Sequence, residues 1–283
     1  NSGGVTHARA AGLWSLAESL LPEVFPRSSL SRSERLLRGG FVEQALEAAG
    51  RAASEAAIPA SFLMLEILVH MGDDAGAAAM AERLEGKRLS GLLSPRLETD
   101  LEILSMSLHW KKITLDCFSR DVERMDRRGL TPLQKCRLVL IEARVLARHG
   151  FMDRALEAAD GARSMAAASG FGWMVESCDA FIVSCLWKTG RLREAEEGCR
   201  TLVRVAARSG NLKALAYALN TRGGIASSSY DYIEAARCYG AVGRLAEVTG
   251  NRKLAGTAVA NLGVAMMMRG EYGEALEIFM KAA

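Results

Sequence analysis

Side chains able to do chemistry are sparse in this chain and poorly grouped. The six cysteines, at 117, 136, 178, 185, 199 and 238, contain no C-x-x-C pair, and most occupy apolar-face positions of helical segments. They read as reduced core residues of a cytoplasmic protein. Cys178 and Cys185 lie seven residues apart on one helix, roughly 10 Å, too far to bridge to one another. His70, His109 and His149 each fall at the end of a repeat's first helix, where a cation or donor complements the helix dipole. None has a second His or Cys four residues away, so no metal site is expected. Gly170-Phe171-Gly172 opens like a dinucleotide loop, but Val175 stands where the third glycine belongs and no strand precedes it. It reads as a turn. With no phosphate loop, nucleophile elbow or paired carboxylates, the chain is expected to be no enzyme and to need no cofactor.

The elements repeat. Gly150-Phe-Met152-Asp-Arg-Ala155, Gly190-Arg-Leu192-Arg-Glu-Ala195, Tyr230-Asp-Tyr232-Ile-Glu-Ala235 and Gly270-Glu-Tyr272-Gly-Glu-Ala275 align without a gap at steps of 40 residues. Gly170, Gly210 and Gly250 follow the first three alanines by fifteen residues, so both turns of a two-helix unit keep their spacing. Upstream, Gly40, Val42, Ala45, Ala49 and Ala52 fit one weaker copy and Gly72, Ala77, Ala81 and Leu84 a second. Residues 95–129 read as a helix pair with Trp110 in place of the turn glycine. Ser31-x-x-Glu34 and Thr131-Pro132-x-Gln134 are capping boxes, and Ser94-Pro95 resembles the second. The expected fold is all-α, a right-handed α-solenoid of stacked antiparallel helix pairs. Residues 1–130 would be degenerate repeats and 131–283 four regular ones, with a soft boundary near 130.

In the last repeat, Leu262, Gly263, Met266, Gly270, Tyr272, Ala275, Phe279 and Ala282 occupy positions 7, 8, 11, 15, 17, 20, 24 and 27. This pattern resembles the tetratricopeptide repeats. The 40-residue period also resembles the sensor arms of MalT-type ATP-dependent bacterial transcription regulators. The resemblance implies that each first helix lines a concave groove with positions 2, 5, 6, 9, 12 and 13. Those positions carry Arg137, Arg144 and Arg148 in the first regular repeat and Ser177, Ser184, Trp187 and Lys188 in the second. Tyr217, Asn220, Thr221, Gly224, Ser227 and Ser228 follow in the third, then Thr257, Asn261, Met267 and Met268 in the fourth.

The resemblance further implies that Asn220 and Asn261 bond the N–H and C=O of an extended peptide; solvated or intrahelical polar roles are the alternative. Gly223 is explained by packing at position 8. Gly224 is not, and its missing side chain would open room beside Trp187 and Asn220. Trp187 would stack on a ligand or pack between repeats, and Met267 and Met268 would form an adaptable apolar patch. The arginines would meet a carboxylate-rich partner or remain a solvated face.

A net charge of +3 with intermixed signs offers no basic block for nucleic acid, and no run reaches a membrane span. The resemblance implies a protein or peptide segment in the groove as the partner. Tyr272, Leu276, Ile278 and Phe279 leave an apolar face at the carboxyl end, which further repeats, a dimer or a partner would cover. Two alternatives stand beside the peptide-binding module: the ligand-sensing arm of a larger regulator, and a scaffold that self-associates through uncapped ends.

Overall fold

The structure is a computed structural model and describes residues 42–52, 57–71, 73–126 and 129–282. The capping box expected at Ser31 and Glu34 and the turn glycines Gly40 and Gly72 lie outside them. All regular structure among the described residues is helical. The chain divides into two compact units, one of residues 53–191 and the other of 1–52 with 192–283. The soft boundary expected near residue 130 falls inside the first of these.

The unit of residues 53–191 holds α2 (Ala57–Met71), α3 (Asp74–Leu89), α4 (Pro95–His109), α5 (Leu115–Asp126), α6 (Pro132–Arg148), α7 (Met152–Ala168) and α8 (Gly172–Lys188). Thr131 caps α6 through the full box: its Oγ1 accepts from Gln134 N at 3.3 Å, and Gln134 Oε1 accepts from Thr131 N at 2.9 Å. Gln134 is buried, and its Nε2 donates to Asp100 Oδ1 on α4 at 2.9 Å. One cap thus also ties two helices. Ser94 caps α4 with Pro95 at the first helical position. Ile103, Met106, Phe118, Met125, Leu138, Ile141 and Val145 join α4, α5 and α6 in one core cluster, with Trp110 packed against it. Trp110 stays in the right-handed helical region, unlike a turn glycine.

The other unit contains α1 (Val42–Ala52), then α9 (Leu192–Ser209), α10 (Leu212–Ser228), α11 (Tyr232–Thr249), α12 (Arg252–Met268) and α13 (Tyr272–Ala282). From α9 onward, successive helices begin twenty residues apart and pack each on the next. Each turn among them holds one left-handed residue, at Gly210, Tyr230, Gly250 and Gly270. Reversal within so few residues makes neighbouring helices antiparallel. Close approach is set by absent side chains: a Cβ on Gly223 would come within 2.6 Å of Tyr239 Cε1, and one on Gly263 would run into the Phe279 ring. Ala235 and Ala275 are buried in the same helix pairs. Arg222 on α10 reaches Glu196 on α9 at 3.9 Å and Glu234 on α11 at 3.2 Å.

Candidate functional site

The third and fourth first helices, α10 and α12, carry the most distinctive polar feature of the second unit. Asn211 and Asn251 start them, each side-chain oxygen accepting from the backbone N–H three residues on, at 3.0 Å. The identical caps set identical registers. Ala216, Val242, Ala246, Leu254 and Ala258 pack α10, α11 and α12 into one cluster, and their small side chains let α10 and α12 approach. Asn261 Nδ2 then donates to Asn220 Oδ1 at 2.9 Å, linking the two helices across half-buried positions.

Around this pair, Tyr217 precedes Asn220 by one turn and is 39% exposed, while Thr257 precedes Asn261 by one turn and is exposed. The Thr257 hydroxyl donates to Lys253 O within its own helix at 3.0 Å. Along α12, Val264, Met267 and Met268 follow Asn261 with 55%, 44% and 57% exposure. Val264 escaped the sequence reading, although it holds position 9 of the same repeat. Its exposure is what marks it.

Three other groove positions of α10 are bonded or buried within the fold. Ser227 hydrogen-bonds the Tyr239 side chain, and burial pushes the Tyr239 phenol up against that bond. Thr221 is buried. Gly224 is buried as well, and its carbonyl accepts from Ser228 Oγ at 2.9 Å.

In the unit of residues 53–191, Arg137 is neither a solvated cation nor free for a partner. Its Nη2 meets Glu66 Oε1 at 2.7 Å with both side chains 18% exposed, and its guanidinium lies 6.0 Å from the Trp173 ring centroid. Arg148 is exposed but donates from Nη1 to Ile113 O at 3.2 Å, beside His149, whose Nε2 is 3.5 Å from the same carbonyl. Arg144, Ser184 and Trp187 are half-buried and Lys188 is exposed. His109 Nδ1 bonds Ser105 O at 3.0 Å, a turn earlier on its own helix.

Five of the six cysteines are buried free thiols and Cys117 is exposed. Burial, first among the causes, pushes the thiols of Cys178 and Cys199 up to about 12 and those of Cys185 and Cys238 up to about 11. At neutral pH these sulfurs are protonated and poor nucleophiles. Among the described residues no group of three or more His, Cys, Asp or Glu side chains converges to hold a metal ion. None of the described helices is long and apolar enough to cross a membrane.

No family model and no curated protein matches the chain. Solved structures do. A Rap protein complexed with competence and sporulation factor superposes with a TM-score of 0.67 at 15% identity, over 90% of this chain and 74% of that one. The apo form of RapI gives 0.49 at 14% identity over 90% and 74%, and BtubC from P. vanneervenii 0.44 at 16% over 89% of each chain. What the chain shares with that first Rap protein is its fold, an all-α helical repeat of tetratricopeptide type.

Proposed function

We propose that this chain is a non-catalytic binding module that takes an extended peptide or protein segment on the face of α10 and α12. The observation that carries the reading is the Asn220–Asn261 pair, flanked by Tyr217 and Thr257 on an accessible face. Each carboxamide has two donor hydrogens and an acceptor oxygen, and their mutual bond leaves capacity on both. That a Rap protein of the same fold was solved with competence and sporulation factor supports a binding role. Arg144 on α6 and Ser184, Trp187 and Lys188 on α8 are proposed as a separate set of contact residues within the unit of residues 53–191, whereas Arg137 belongs to its ion pair.

A random peptide library displayed on phage and panned against the full chain tests this. Selected peptides, labelled and titrated by fluorescence polarisation, should bind the double variant Asn220→Ala/Asn261→Ala at least about tenfold more weakly, as the loss of one or two hydrogen bonds implies. Circular dichroism and melting should be almost unchanged. Equal affinity would remove the asparagines from the site, and failure to enrich any peptide would remove the peptide reading.

The second reading, a ligand-sensing arm in a larger ATP-dependent transcription regulator of the MalT type, uses the same face with different domains attached. A nucleotide-binding motif or a helix-turn-helix segment in the parent chain would favour it.

A further inference from the structure

We infer that Val264, Met267 and Met268 form an apolar subsite continuing from the asparagine pair, and that the peptide bound there carries a large apolar side chain about three residues from the one whose main chain the asparagines hold. This rests on the peptide-binding reading above and adds a sequence requirement to it.

Three large apolar side chains, 55%, 44% and 57% exposed, crowd into little more than one turn at the end of α12. Single exposed apolar residues are ordinary, but contiguous ones mark contact surfaces. The fold does not require them. Forty residues earlier, the equivalent positions of α10 hold Gly224, Ser227 and Ser228, and eighty residues earlier those of α8 hold Ser184, Trp187 and Lys188. The packing duty of this turn falls instead on buried Gly263 and Ala265 and on half-buried Leu262 and Met266.

Spacing converts this patch into a rule for the ligand. Thr257, Asn261, Val264 and Met268 follow one another by four, three and four residues, so they lie along one face of α12. Asn261 and Met268 are seven residues apart, roughly 10 Å along the axis at 1.5 Å per residue. An extended peptide advances about 3.3 Å per residue, so that distance is about three residues. The thioethers adapt their shape, so the subsite should accept Leu, Ile, Met or Phe with little preference among them.

The experiment pans one displayed random heptapeptide library against the wild-type chain and against Val264→Ser/Met267→Ser/Met268→Ser. The expected result is that the wild type enriches peptides with one apolar position, and the triple variant enriches peptides without that preference. A labelled wild-type-selected peptide should bind the triple variant about ten- to a hundredfold more weakly, the range for burying one large apolar side chain. The same peptide with its apolar residue changed to Ser should bind both forms alike. The same apolar preference in both selections would overturn the inference while leaving the peptide reading standing, and so would its absence from the wild-type selection. Enrichment of nothing by the wild type would sink both. Self-association that the triple variant abolishes without altering the selected peptides would assign the patch to a second copy and overturn the inference. Should the triple variant lose its helical circular dichroism, the single variant Met268→Lys, at an exposed position, decides by the same readings.

Discussion

Tyr230 holds a left-handed backbone, φ 61°, at a turn where the equivalent residues 150, 170, 190, 210, 250 and 270 are all glycine. A side chain in that conformation costs roughly 1–2 kcal/mol. Its ring is 80% exposed and meets Tyr232 edge-on at 6.3 Å, a contact worth about 0.5–1.5 kcal/mol. The strain is the larger of the two. Tyr230→Gly is therefore expected to stabilise the chain by up to about 1 kcal/mol and to raise the melting temperature by a few degrees, read by differential scanning calorimetry. The sequence alignment had placed Tyr230 at a glycine position, and the turn keeps its geometry there. Gly224 also holds a groove position by spacing, and spacing assigns a residue to a face of its helix without fixing its burial; in the fold it is buried.

Among the elements, what could be read in the sequence was what is local. The box at Thr131 and the cap at Ser94 are visible because capping acts over three residues, and the small residues at Gly223 and Gly263 because paired helices demand them at fixed positions. Contacts between distant elements were invisible. Glu66 is 71 residues from Arg137, and no periodicity on α6 announces that α2 holds its carboxylate. The partnership of Asn220 with Asn261, 41 residues apart, was hidden in the same way: each was read as a residue for a ligand, and each is first a residue for the other. The cap at Thr131 can be weighed. Thr131→Ala removes the bond to Gln134 N and unsettles the Gln134 carboxamide that reaches α4, so a loss of about 1–2 kcal/mol is expected in urea unfolding. Thr131→Ser should recover most of it.

For the molecule as a whole, the apolar face expected on α13 is there in part. Tyr272, Leu276 and Met280 are 69%, 60% and 72% exposed, while Ile278 and Phe279 are half-buried, Phe279 against Gly263. Light scattering across a concentration series should show self-association of this chain that Leu276→Glu/Met280→Glu reduces. A monomer at every concentration would leave that face without a role in assembly. The mutual bond of Asn220 and Asn261 bears on the proposed partner choice differently, because each amide is already the other's hydrogen-bond partner. An incoming group that separates the two amides must replace a donor and an acceptor together. A carboxylate brings acceptors alone and an ammonium donors alone, so each leaves half of the exchange unmet; a main-chain amide supplies both. On the peptide-binding reading, the pair would therefore favour polypeptide over small ions by hydrogen-bond parity, before any side chain is read.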